Sequence, residues 1–172
     1  RDSYKILRCK TDSIDKLELF IPPKRETVIG SLDFLDNYMI RGEKSDAIPK
    51  LLISNIKTNE EEEIKISNEA IGVPGVSLMQ KDTNTTKIRV HWESMATPSK
   101  IYEYDIVTKE KKIVKETEIP SGHDPDKYVV ERIKAKSHDG RMIPISLVRL
   151  KDAKQDGKSK VLLYAYGAYK HS

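Results

Sequence analysis

Cysteine is nearly absent: Cys9 is the only one in 172 residues. No internal disulfide can form, and no Cys pair exists to hold a zinc ion. A lone thiol fits a reducing compartment, so a cytoplasmic setting is expected. Aromatic residues make up only 6% of the chain, too few to interleave with the basic ones as stacking platforms for nucleic acid. No apolar run is long enough to span a bilayer as a helix, and no signal-peptide pattern stands at the start. Neither a nucleic-acid nor a membrane partner is therefore expected. The four histidines, His91, His123, His138 and His171, show no metal-ligand spacing, so no metal is expected. Gly-x-Ser-x-Gly is missing too; the nearest approach, Gly75-Val-Ser-Leu-Met79, lacks the second Gly that would support a nucleophile elbow. Gly157-Lys-Ser159 looks like the tail of a phosphate loop, but Asp152 stands where that loop needs Gly. A sustained helical period is also lacking, which leaves a mainly β chain.

Charge is plentiful instead. The net charge is +4 and the pI about 9.0. Residues 128–172 carry ten Lys/Arg against four Asp/Glu, while the rest is slightly acidic. These charges are scattered along strand-like segments, as on a solvated surface. Short strands are expected at 3–9 and 17–21, the second ended by Pro22-Pro23, which cannot donate to a ladder.

The stretch from Tyr38 to Glu60 is repeated from Ile88 to Glu110. Glu43 matches Glu93, Pro49 matches Pro98 after a one-residue gap, and Thr58-Asn-Glu60 matches Thr108-Lys-Glu110. The offset is 50 residues, within the range of propeller blades and other repeat arrays. Each copy reads strand, turn with Pro, strand, tight turn, strand. Such a small antiparallel sheet must stack on a neighbour to bury its apolar face. Asn59 and Lys109 fall where a left-handed turn residue is expected. The acidic run 60–63 reads as a solvated face.

Residues 119–127 crowd Pro, Gly and Asp and read as a linker. Beyond it, 129–137 and 142–150 flank Asp139-Gly140, a strong hairpin signal. His138 reads as part of that turn. After a polar loop, Val161-Leu-Leu-Tyr164 reads as a buried strand, with Tyr164, Tyr166 and Tyr169 around Gly167. Those rings either line a turn at the end of a core strand or sit where ligands bind, beyond the carboxyl end of a strand in an α/β sheet.

Taken in order, Thr97-Pro-Ser-Lys-Ile-Tyr-Glu-Tyr-Asp105, Tyr128-Val-Val-Glu-Arg-Ile133, Ser137-His-Asp-Gly-Arg-Met-Ile-Pro-Ile-Ser-Leu-Val148 and Leu162-Leu-Tyr-Ala-Tyr-Gly-Ala-Tyr169 carry a resemblance. The chain resembles the prolyl oligopeptidase family of serine peptidases, and within it the oligopeptidase B (protease II) branch. The resemblance implies a partial β-propeller, about its last two blades, over residues 1–121. The first strands of an α/β-hydrolase domain would follow over 122–172. It implies cleavage of short basic peptides after Arg or Lys by acyl transfer, with no cofactor. It further implies that Tyr166 donates to the oxyanion and that Tyr169 lies near the specificity pocket. Ala165 and Lys170 stand where that branch usually carries Gly. Ser, Asp and His of the triad would lie beyond this sequence, so the chain is expected to be an inactive fragment of the enzyme. The alternative is a non-catalytic remnant that at most binds peptides or proteins.

Overall fold

The computed structural model describes residues 4–78 and 83–166, and nearly all of its regular structure is β. A small two-stranded sheet pairs β1 (Ile6–Arg8) with β2 (Glu18–Ile21). Two four-stranded antiparallel sheets follow. The first runs β3 (Thr27–Phe34), β4 (Tyr38–Ser45), β5 (Ile48–Asn55), β6 (Glu61–Glu63), each paired to the next. The second runs β7 (Val73–Ser77), β8 (Lys87–Glu93), β9 (Lys100–Asp105), β10 (Lys111–Glu116) in the same way. A last hairpin joins β11 (Tyr128–Lys136) to β12 (Met142–Leu150). The only helical turn among the described residues is a single 3-10 turn, Pro125–Lys127, capped by the Asp124 side chain. No helix of the described residues is long and apolar enough to cross a membrane.

The 50-residue repeat is a structural one. β4–β5–β6 and β8–β9–β10 are the two copies, and their tight turns agree bond for bond. The Asn55 side chain accepts from the amides of Lys57 and Thr58; Asp105 accepts from those of Val107 and Thr108. Asn59 and Lys109 both take the left-handed conformation, at φ 60° and 64°. The Thr58 and Thr108 hydroxyls each accept from the amide two residues on. The amides of Ile56 and Ile106 donate to the carbonyls of Asn37 and Thr86, each just before the strand that opens its repeat.

Alternation along the strands puts one face of each sheet into a shared core. In β8, Ile88, Val90 and Trp92 are buried while Lys87, Arg89 and Glu93 are exposed. Ile40 stands opposite Ile53, and Ile88 opposite Tyr104, so each pair shares a face. With Leu51, Ile64, Ile66 and Ile106 they form one apolar cluster between the two sheets. A second buried layer lies on the other side of β4. Arg41, almost fully buried, donates to Glu43 and pairs with Glu61, both at 2.9 Å, and Ser54 donates to Glu61. Burying that guanidinium is tolerable only because both carboxylates meet it.

Pro49 lies inside β5 rather than in the turn expected from the sequence. The turn itself is Asp46-Ala47, both at positive φ, as a two-residue hairpin turn demands. β5 pairs with β6 only over Leu52–Ser54, so the side where Pro49 lacks an N–H carries no ladder there.

β11 and β12 pair without a break from Tyr128↔Leu150 to Lys136↔Met142, as the Asp-Gly signal predicts. Gly140 turns at φ 82°, and Asp139 caps the turn by accepting from Arg141 N. The final strand is a correction. Residues 160–166 form no strand and join no sheet, and Val161, Leu162, Leu163 and Tyr164 stand 79–92% exposed. Extended backbone becomes a strand only when a neighbour satisfies its N–H and C=O groups. Among the described residues β11 and β12 pair only with each other, so an apolar composition alone does not make this run a strand.

Candidate functional site

Of the two tyrosines that carry the sequence reading of a site, Tyr166 is 63% exposed, at the end of the segment 160–166, which lies outside the regular strands. Tyr169 lies outside the described residues. His91 does meet a serine: Ser77 Oγ and His91 Nε2 are 3.0 Å apart across the β7–β8 ladder. Ser77 sits in a regular edge strand, not on a strand-to-helix elbow, and the pair is exposed. Among the described residues, no hydrogen bond to the other ring nitrogen of His91 joins this pair to the orienting third group that makes a serine nucleophilic. His138 belongs to the β11–β12 turn, with Nδ1 3.4 Å from Ser137 Oγ. Among the described residues no group of three or more His, Cys, Asp or Glu is placed to hold a metal.

A different cluster forms at one end of the two large sheets, where β4 turns into β5, β8 ends and the 64–72 connection crosses over. Glu69, on that connection, accepts from the hydroxyls of Ser94 and Thr97. Ser94 Oγ in turn accepts from the amides of Ala96 and Thr97, at 3.0 and 2.8 Å. The loop after β8 is thereby fixed. Its Ala96 carbonyl lies 2.6 Å from His123 Nε2, and the His123 ring stacks on Tyr128 at the start of β11. Asp46, in the β4–β5 turn, holds the hairpin a second way. Its carbonyl accepts from the Arg132 guanidinium, and its carboxylate lies 3.6 Å from Lys134 Nζ. The hairpin therefore docks on this end of the body through polar groups far apart in sequence.

The same end carries a cavity of about 290 Å³ between the sheets. It is lined by the start of β5, by residues 63–70, by Gly72 and Pro74, and by Trp92. Trp92 packs on Gly72 so closely that a Cβ there would fall 2.2 Å from the ring carbons. The Trp92 Nε1 is buried and meets no hydrogen-bond acceptor among the described residues.

Among the described residues three titrations are displaced. The Asp105 carboxyl is held below its ordinary range, chiefly by the Thr108 amide, against a smaller opposing effect of burial. The Glu116 carboxylate, 2.9 Å away, raises the Lys100 ammonium, with desolvation opposing. Burial pushes the Tyr104 phenol up. All three lie in β9 of the second large sheet.

Sequence reasoning missed Glu69, Trp92, His123 and the Asp46–Arg132 contact. Their partners lie 20 to 86 residues away, and no local spacing announces them.

Comparison with known proteins places this geometry. Residues 2–117 match the family described as prolyl oligopeptidase, N-terminal beta-propeller domain. The chain is 31% identical over 170 residues to dipeptidyl aminopeptidase BI of Pseudoxanthomonas mexicana, covering 97% of this chain and 23% of that protein. It is 21% identical over 168 residues to protease 2 of Moraxella lacunata, covering 97% and 24%. Among solved structures it is similar to oligopeptidase B from Trypanosoma brucei with covalently bound antipain, closed form. There the TM-score is 0.68 at 22% identity, over 90% of this chain and 24% of that one. The chain thus spans about a quarter of the length of these relatives.

Proposed function

The chain belongs to the prolyl oligopeptidase family, and on that premise we propose that it is part of a serine peptidase acting on short peptides in the cytoplasm. In this reading residues 1–121 supply two propeller blades and 122–172 open an α/β-hydrolase domain. The observation that carries it is the pair of face-packed four-stranded sheets, repeated turn for turn over the segment that matches the family's propeller. What favours a second domain is the separate β11–β12 hairpin beyond Gly122.

The reaction would be acyl transfer. A serine, activated by a histidine base, attacks the scissile carbonyl, and donors stabilise the oxyanion that forms. This sequence holds no Gly-x-Ser-x-Gly, so the nucleophile would come from outside it. Tyr166 would contribute a phenolic O–H to the oxyanion, and Tyr169 would border the specificity pocket. No metal or organic cofactor enters this scheme.

Two substrate readings stand. Cleavage after Arg or Lys is the one that the residues of the last segment resemble. Removal of dipeptides from a free amino end is favoured by the 31% identity to a dipeptidyl aminopeptidase over nearly the whole chain. The test uses the polypeptide that carries this sequence in its natural reading frame. An N-blocked fluorogenic peptide with Arg before the scissile bond is compared with a dipeptide substrate bearing a free amine. Turnover of the first alone supports the basic-residue reading, and turnover of the second alone the dipeptidyl reading. Turnover of neither contradicts the peptidase assignment and leaves a peptide-binding remnant. In an active polypeptide, Tyr166→Phe should lower kcat about a hundred- to a thousandfold, the scale of one oxyanion donor. An unchanged kcat would remove Tyr166 from the site.

A further inference from the structure

The two large sheets repeat strand by strand, so their faces can be compared position by position. Asn55 and Asp105 cap the same turn and fix the alignment. Counting back from them, the cross-strand pair Ile40–Ile53 of the first sheet matches Arg89–Glu103 of the second. Gly42–Leu51 likewise matches His91–Ile101. Ile40 and Ile53 look onward, toward the second sheet, and are buried there at 0% and 2% exposure. In the second sheet Ile88, Val90 and Tyr104 look back at the first. Alternation therefore turns Arg89, His91, Ile101 and Glu103 to the far, onward face. Where the first sheet offers two buried isoleucines, the second offers a guanidinium and a carboxylate. Arg89 is exposed and forms no ion pair among the described residues. Glu103 is half-buried and pairs with Lys87 at 3.2 Å, while exposed Lys112 stands opposite it in β10. The core of this face is thus basic on balance.

We propose that the onward face of the second sheet is an ionic seam. Its occupant is a further blade of the same polypeptide, supplied from outside this sequence, whose contact face brings carboxylates to Arg89 and Lys112. The proposal rests on the reading of residues 1–121 as propeller blades, since radial stacking sets a neighbour against each blade face. The charges decide what kind of neighbour. An apolar sheet laid here would bury Arg89 without a counter-charge, a cost that apolar contact does not offset. A partner carboxylate meets the guanidinium with charge-assisted hydrogen bonds. The apolar stack that joins the first sheet to the second therefore ends at the second, and the next junction is held by charge.

His91 lies on this face, two residues along β8 from Arg89, and is half-buried, so it reports whether the face is covered. The experiment applies diethyl pyrocarbonate to the 172-residue chain and to the polypeptide that carries this sequence in its natural reading frame. Modification of His91 is followed by mass spectrometry. His91 should react several times more slowly in the longer polypeptide. Arg89→Ile copies Ile40 and suits a strand. In the longer polypeptide it should speed the reaction up to about tenfold, the scale of a lost charge-assisted hydrogen bond. Arg89→Lys should keep most of the protection, and about 1 M NaCl should reduce it by screening. Equal His91 rates in the two polypeptides would overturn the proposal, because the face would then be bare. Protection that Arg89→Ile leaves unchanged or increases would also overturn it, because the neighbour would then pack through apolar contact. Salt-sensitive protection in a polypeptide that hydrolyses neither fluorogenic substrate keeps the seam and removes the peptidase reading. Turnover with an unprotected His91 does the reverse.

Discussion

Asp105 and Asn55 hold equivalent places in the two repeats and cap the same turn with the same two backbone bonds, yet only one of them titrates. The amides of Thr108 and Val107 stabilise the ionised carboxylate and lower its pKa in the folded state. A depressed folded pKa contributes stability above the unfolded value, and that contribution is lost as pH falls through the folded one. The loss therefore falls below pH 4, given an ordinary Asp value of 3.8. Asp105→Asn copies the arrangement at Asn55. It should cost about 1 kcal/mol or less at pH 7, since both turn bonds survive. Urea unfolding at a series of pH values should show the variant losing less stability than the parent as the pH falls below about 4. A parallel pH dependence in the two proteins would mean that Asp105 is not held in this way.

Each large sheet shows apolar residues to the other and polar residues outward, and burial differs sharply between strands of one sheet. Ile88 in β8 is fully buried, whereas Ile113 in the edge strand β10 is 47% exposed. Ile88→Ala should destabilise by about 2–5 kcal/mol, through lost transfer energy and the hole left between the sheets. Ile113→Ala should change stability by only about 0.5 kcal/mol. Similar losses from the two, measured by urea denaturation, would mean that the sheets do not pack through the Ile88 face. These elements were legible in the sequence because their signals are local. Thr58-Asn59-Glu60 and Thr108-Lys109-Glu110 each carry a complete turn, and Asp139-Gly140 carries another. The run 161–164 has a strand's composition, but a strand also needs a partner, which composition does not record. The site was less legible still. Trp92 reads as an ordinary core residue until Gly72 and the 64–72 connection are seen against it.

At the scale of the whole molecule, two blade-like sheets form an apolar-cored body, and a polar set of contacts joins the last hairpin to one end of it. His123, Arg132 and Lys134 make that junction from the hairpin side, against Ala96 and Asp46. The body has the family's propeller as its counterpart, and nothing in its sequence supplies a nucleophile elbow. The central claim is therefore that the chain supplies propeller architecture and holds no activated serine of its own. Ser77 beside His91 is the arrangement that most nearly rivals this account. The most direct test treats the purified 172-residue chain with a fluorophosphonate probe and maps any adduct by mass spectrometry. No labelled serine is expected, at Ser77 or at any other position. Stoichiometric labelling of Ser77 that disappears in His91→Ala would contradict the account, because the chain would then hold an activated nucleophile of its own.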